Sequence, residues 1–311
     1  LAVSSGFALR YVSDLASVLT VAVMWRIARA WFDDRVAGWT GLLFAISPFA
    51  IWFAQEAKMY ALHMLLASFA TLFLIKALRP LPRRWPAWLA YGITINLLGY
   101  SHFFGAFAIA AQGIVTVLTT LRRPKKLRSY LITMVLVALP YLPVVRYALR
   151  FLPSFEMRDI SKGFVPLPNM LREIASEYVL RVSMIHVPHP ARLLWPVALL
   201  LLLGVFEAWR RGWRRGLWLT GLMTLPIAIF YPISLRVPVF SPKYLSATFP
   251  FFVMTLALAL EALRRLWRPL VWVGLIGMVI VAGWANVRIL TQPMYQRTNW
   301  RAAAAYLEVH A

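Results

Sequence analysis

The sequence has no cysteine, which excludes a disulfide framework and any thiolate metal site and leaves the redox compartment unread. Acidic residues are scarce as well: 11 Asp and Glu stand against 33 Lys and Arg, a formal net charge of +22 over 311 residues. No low-complexity linker marks off a soluble domain, and no internal repeat is visible. What is present is apolar. At 61% hydrophobic residues, the chain is too rich in apolar side chains for a water-soluble core, so the implied solvent is a bilayer.

A helix needs about 20 residues to cross about 30 Å of hydrocarbon. Ten charge-poor apolar runs approach that length, at about 12–30, 37–54, 59–78, 86–101, 103–121, 129–149, 191–209, 217–235, 247–263 and 270–290. The expected fold is therefore all-α, a polytopic transmembrane bundle of about ten spans.

The excess of positive charge suggests nucleic acid in a soluble protein, but its distribution argues otherwise. Nineteen of the 33 basic residues fall in five alternate short connections: Arg26, Arg29 and Arg35; Lys76, Arg79, Arg83 and Arg84; Arg122, Arg123, Lys125, Lys126 and Arg128; Arg210, Arg211, Arg214 and Arg215; Arg264, Arg265 and Arg268. Only Asp33, Asp34, Glu207 and Glu261 oppose them there. The positive-inside rule makes these loops cytoplasmic and the remaining connections external. No nucleic-acid partner is expected, because topology accounts for the charge.

The first run enters from outside and the chain begins at Leu1. An upstream helix is therefore expected, so that residues 1–290 form an N-terminally truncated membrane domain containing the external loop 150–190, and 291–311 begin an external C-terminal segment. In that loop Leu167, Met170, Leu171, Ile174, Tyr178, Val179 and Val182 recur at helical spacing, with Pro168 suited to a first turn. A short amphipathic external helix is expected, with Arg172, Glu173, Glu177 and Arg181 towards water or a site. A packing element without further function fits the pattern equally.

Ionisable groups near hydrocarbon are the informative residues, since each is unfavourable unless paired or hydrated. The densest external group is Gln55-Glu56-Ala57-Lys58-Met59-Tyr60. If the third span starts near Gln55, then Gln55, Lys58 and Met59 share one helix face, with Glu56 and Tyr60 on the next. Lys58 then suits an anion and Glu56 a cation or hydroxyl; alternatively the two neutralise each other. His102, in Tyr100-Ser101-His102-Phe103-Phe104-Gly105, is a base, a metal ligand or an interfacial anchor. No spacing indicates a metal site. Lys243 and Tyr244 stand at the outer start of the ninth run, fit for a phosphate at the membrane surface or for an interfacial belt. Arg10 lies at the mouth of the first run. Cations, phenols and amides at the outer ends of different spans suit an anionic lipid head group, because charge-assisted hydrogen bonds to phosphate are strong where water is scarce.

Phe7-Ala8-Leu9-Arg10-Tyr11-Val12-Ser13, Ser47-Pro48-Phe49 and Gln55-Glu56-Ala57-Lys58-Met59-Tyr60-Ala61-Leu62 resemble the GT-C superfamily of membrane glycosyltransferases. The likeness is to dolichyl-phosphate-mannose protein mannosyltransferases and lipid A aminoarabinose transferases of glycosyltransferase families 39 and 83. Ser101-His102-Phe103-Phe104-Gly105, Lys243-Tyr244-Leu245 with Pro250 (often Arg-Tyr-Leu in the family), and Asn299-Trp300-Arg301-Ala302-Ala303 extend it. The resemblance implies an inverting transferase moving a hexosyl or pentosyl group from a polyprenyl-phosphate carrier to a lipid, glycan or protein acceptor. It implies a multi-pass protein of a bacterial inner membrane, active on its external face.

In that scheme a carboxylate base activates the acceptor and cations stabilise the departing lipid phosphate. The family's acid lies in an external loop after an earlier helix, so the base is expected upstream of Leu1 and this chain alone is expected to be inactive. Asp14, inside the first run, matches no catalytic position. Lys58, Lys243, Tyr244 and Arg10 are the expected lipid-phosphate contacts; Gln55, Glu56, Tyr60 and His102 are expected to shape the sugar or acceptor pocket. No cofactor is expected, a divalent metal being open but not indicated. Membrane lipids, the lipid-linked donor and the acceptor are the expected partners. A transporter or flippase of an anionic lipid or solute, and an oligosaccharide polymerase or ligase, are the competing readings.

Overall fold

The computed structural model describes residues 6–80, 83–143, 146, 150, 164–181, 190–236 and 239–292, leaving aside the side chains of 6–9 and 190–193. Among these residues the chain is helical and contains no strand. The helices are α1 (Gly6–Trp31), α2 (Asp34–Ile46), α3 (Pro48–Ala54), α4 (Tyr60–Leu78), α5 (Trp85–Ser101), α6 (Gly105–Thr120), α7 (Pro124–Ala138), α8 (Leu167–Leu180), α9 (Pro190–Arg210), α10 (Trp213–Ser234), α11 (Phe249–Leu266) and α12 (Arg268–Thr291). Two 3-10 turns, Leu139–Tyr141 and Pro242–Thr248, join them.

Nine of the ten apolar runs coincide with a helix or a helix pair, and the remaining one, 129–149, holds α7 up to Ala138 and a 3-10 turn before it passes outside the described residues. Five helices are long and apolar enough to cross a bilayer among the described residues: α1, α4, α10, α12, and α11 with its leading 3-10 turn. The second run is broken, α2 and α3 meeting at 58°, and counts as a sixth span if the bent pair crosses as one. Pro48 sets the break: it has no N–H to continue the ladder and holds Ser47 extended, at ψ 128°. The other runs are α5, α6, α7 and α9. α7 starts earlier than expected, at Pro124, and gives way to the 3-10 turn that contains Pro140.

The segment Pro242–Leu266 is buried along nearly its whole length. Phe249, Phe251, Phe252, Leu258 and Leu260 place the centre of the core there. α9 approaches this helix so closely that a Cβ at Gly204 would lie 2.0 Å from the Thr255 carbonyl oxygen, which only glycine allows. α12, by contrast, turns Trp272, Val273, Ile276 and Ile280 outward, as suits a lipid-facing helix.

At the end carrying the basic loops, the scarce acids are all engaged. Asp33 caps α2 by accepting from the Val36 N–H at 2.9 Å and pairs with Arg211 at 2.5 Å. Glu207 holds Arg210 at 2.9 Å, Arg211 at 2.5 Å and Arg265 at 3.1 Å, and Glu261 holds Arg264 at 2.6 Å. Asp34 pairs with Arg29 at 2.6 Å. Glu207 and Glu261 are each only 2% exposed, so the network that ties the α1–α2 turn to the ends of α9 and α11 has a buried centre, with Asp33 half-exposed at its rim.

α8 is the expected amphipathic helix, with Pro168 in its first turn and Met170, Ile174 and Tyr178 buried. Leu167 and Leu171 stay exposed, and Val182 lies outside the described residues. Its charged side chains do not all face water. Arg181 pairs with Glu177 and lays its guanidinium 4.6 Å over the Trp52 ring and 5.4 Å over Phe53, because a weakly hydrated planar cation stacks well on aromatic faces.

Candidate lipid-phosphate site

Gln55 to Met59 form a turn, not the start of a helix: α4 begins at Tyr60. Gln55 closes α3 by donating to the Ile51 carbonyl, and the Lys58 N–H donates to the Glu56 carbonyl at 2.7 Å. The shared helical face expected for Gln55, Lys58 and Met59 therefore does not form. Of the two readings of Glu56 and Lys58, mutual neutralisation is the observed one, with Lys58 Nζ 2.8 Å from Glu56 Oε1. Ser13 Oγ donates to the Lys58 carbonyl at 3.3 Å and fastens this turn to α1. Gln55 lines a cavity of about 850 Å³ walled by α1, α2 and α3, together with Asp14, Ser17, Trp25 and Phe44. Arg10 stands exposed on the first turns of α1, and among the described residues no hydrogen bond or ion pair joins it to the remaining candidates.

Four candidates from separate stretches of sequence do come together. Tyr60 opens α4, His102 ends α5, and Lys243 with Tyr244 sits on the 3-10 turn before α11. His102 lies 6.0 Å from Tyr60 and 5.8 Å from Tyr244 between ring centroids. Lys243 Nζ lies 5.7 Å from the centroid of each tyrosine ring. The backbone orders the imidazole: the Phe104 N–H donates to His102 Nδ1 at 3.2 Å, so the neutral ring carries its proton on Nε2. Burial and then the Lys243 charge lower the His102 pKa from its ordinary value of 6.5, because both disfavour a second positive charge. At neutral pH the group is an uncharged donor beside a cation.

Two residues that the motifs did not single out belong to this arrangement. His63, one turn into α4, is 2% exposed, and neither ring nitrogen has a hydrogen-bond partner. Its ring meets His102 nearly edge to face at 5.9 Å. The only signal in the sequence was an ionisable side chain inside an apolar run. Tyr178 of α8 donates to the Leu245 carbonyl at 2.6 Å and lies 2.8 Å from Thr248 Oγ1. It thereby clamps the turn that carries Lys243 and Tyr244 from the side of the amphipathic helix. Among the described residues no group of three His, Cys, Asp or Glu is placed to hold a metal. Asn299 to Ala303 lie outside the described residues.

Residues 1–147 match the family described as dolichyl-phosphate-mannose-protein mannosyltransferase. No curated protein sequence matches the chain. Among solved structures, apo ArnT from Cupriavidus metallidurans is similar at TM-score 0.59 and 21% identity over 94% of this chain and 53% of its own. The same protein bound to undecaprenyl phosphate gives 0.55 and 21%, over 94% and 52%. The Archaeoglobus fulgidus oligosaccharyltransferase in complex with zinc and sulfate gives 0.57 and 18%, over 90% and 41%. The chain thus spans about half the length of the ArnT structures. It is a multi-pass membrane protein with the all-α fold of the GT-C glycosyltransferases, and its first 147 residues match the dolichyl-phosphate-mannose-protein mannosyltransferase family.

Proposed function

We propose that this chain is the membrane part of a glycosyltransferase that takes a sugar from a polyprenyl-phosphate carrier and passes it to a lipid, glycan or protein acceptor at the end opposite the basic loops. By the positive-inside rule that end is external. The observation that carries the reading is the meeting of Lys243, Tyr244, Tyr60 and His102 at the tips of helices far apart in sequence. The family match over residues 1–147 and the undecaprenyl phosphate bound by ArnT support the same lipid chemistry.

In this reading Lys243 receives the lipid phosphate. As the sugar's anomeric carbon separates from the phosphate oxygen, charge grows on that phosphate, and a cation already placed in poorly hydrated surroundings stabilises it most at the transition state. Tyr244 and the Nε2–H of His102 supply hydrogen bonds. Lys58 adds a second cation when phosphate replaces Glu56 as its partner. Glu56 and Tyr60 border the sugar pocket, Gln55 serves from the neighbouring cavity, and Arg10 steers the anion in from the surface. The acceptor must lose a proton to a base, and none of these residues is assigned that role.

The test uses full-length protein, purified and incubated with radiolabelled polyprenyl-phosphate sugars. Label passing to an acceptor in the wild type and lost in Lys243→Ala supports the proposal. Translocation of the lipid with no cleavage of its sugar would establish a flippase in its place.

A further inference from the structure

We propose that the groove between α5 and α7 binds an anionic phospholipid, its phosphate held at the basic end by Arg84, Arg123 and Lys126 and its chains lying along the two helices. The phosphate position lies at the basic end, opposite the residues assigned to sugar transfer, and does not depend on that function.

The argument begins with helix ends. α5 and α7 both start at the basic end, with Arg84 and Arg123 at their N-cap positions, and neither side chain closes the first turn. Neither first turn contains an acid. The N-terminus of a helix carries partial positive charge, so a cation there is unfavourable and an anion favourable. Here two such ends are met by cations.

The cations also gather on one another. Lys126 donates to the Leu78 carbonyl, bringing the first turn of α7 against the end of α4. α5 and α7 line one groove from Trp85 and Ser129 onward, which sets Arg84, Arg123 and Lys126 at its basic end; burial lowers the Lys126 pKa, and the charges of Arg123, Arg84 and Arg214 lower it further. Arg214 lies over the Trp213 ring, and its Nε is buried with no hydrogen-bond partner. The four inner carboxylates, Asp33, Asp34, Glu207 and Glu261, are engaged by other arginines. Mutual repulsion among unneutralised cations is relieved by a counter-charge, and a phosphodiester supplies one.

What lies beneath identifies the anion as a lipid. A groove of about 620 Å³ runs from Trp85 past Leu89, Ile93 and Leu97 towards Tyr100. It follows the length of α5, about 25 Å at 1.5 Å per residue. Trp85 and Trp213 are 66% and 52% exposed beside Arg84 and Arg214, the position indoles take at the head-group level. Phosphate recognition above and an open apolar channel below fit a glycerophospholipid without an ammonium group. A phosphocholine head would bring its own cation into the cluster.

Native mass spectrometry of the detergent-purified full chain with equimolar phosphatidylglycerol and phosphatidylcholine tests this. Wild type should retain phosphatidylglycerol selectively. Arg84→Gln/Arg123→Gln/Lys126→Gln should lose at least about tenfold of that occupancy, while Arg122→Gln/Lys125→Gln, which removes two charges from the α6–α7 stretch alone, should lose little. Arg84→Gln alone, with its thermal midpoint unchanged, should show a several-fold loss and guards against misfolding of the triple variant. Equal retention of both lipids, full retention by the triple variant, or equal loss in the Arg122/Lys125 control would each overturn the site.

Discussion

Lys243 Nζ lies 5.7 Å from the Tyr60 ring centroid and 5.7 Å from that of Tyr244, so the cation of the 3-10 turn is held between a phenol of α4 and its own neighbour. A cation over an aromatic face is stabilised by about 0.5–2 kcal/mol, more as water is removed. Tyr60→Leu should therefore free the ammonium and weaken polyprenyl-phosphate binding several-fold. Tyr60→Phe keeps the ring and should bind within about twofold of wild type. Titration of both variants with the lipid decides it; equal loss in the two would assign the effect to the hydroxyl.

His102 sets a pH dependence. Its folded pKa lies below 6.5, through burial and then the Lys243 charge. The folded state therefore binds fewer protons than the unfolded chain as pH falls past 6.5, and stability drops on that side. The acid limb of thermal stability should therefore lie below 6.5, and its midpoint should move upward in Lys243→Met, because one of the two depressing causes is gone. A stability–pH profile unmoved by Lys243→Met contradicts the coupling.

Tyr178→Phe removes the bond to Leu245 and the contact with Thr248. Loss of a buried hydrogen bond costs about 1–2 kcal/mol. The thermal midpoint should fall by a few degrees, and transfer should fall further than the midpoint implies, since the released turn carries Lys243. A variant that is less stable yet fully active in the cold would restrict Tyr178 to packing.

The acids at the basic end are structural. Glu207→Gln leaves Arg211, at 10% side-chain exposure, with one anchor fewer in a nearly dry network. A destabilisation of about 2 kcal/mol or more is expected. Asp33→Asn should do less, its side chain being 41% exposed. Midpoints in detergent rank the two variants, and a larger effect at Asp33 reverses the assignment.

The helices and their membrane setting were legible because hydrocarbon demands long charge-poor runs, and within the described residues each run holds a helix or a broken pair. The break at Ser47 was not, although Pro48 was in view, since the apolar run continues across it unchanged. Tyr60, His102, Lys243 and Tyr244 were each legible as polar groups at the outer tips of spans. Their convergence was not, because it depends on how α4, α5 and α11 pack. His63 looked like one polar residue in an apolar stretch; only its contact with His102 gives it a place. The run at 59–78 already set Glu56 and Lys58 before the helix, and whether they lay on its first turn stayed open because the ion pair suits either geometry. The basic loops hid the largest distinction, that one arginine cluster surrounds buried acids while the starts of α5 and α7 have none.

The central claim is that Lys243 receives a lipid-borne phosphate, and equilibrium binding of a polyprenyl phosphate to purified full-length protein tests it most directly. A charge-assisted contact of about 1.5–3 kcal/mol predicts binding roughly 10- to 100-fold weaker in Lys243→Ala. Lys243→Arg should restore most of it. Unchanged affinity in Lys243→Ala, with the fold intact, would contradict the account.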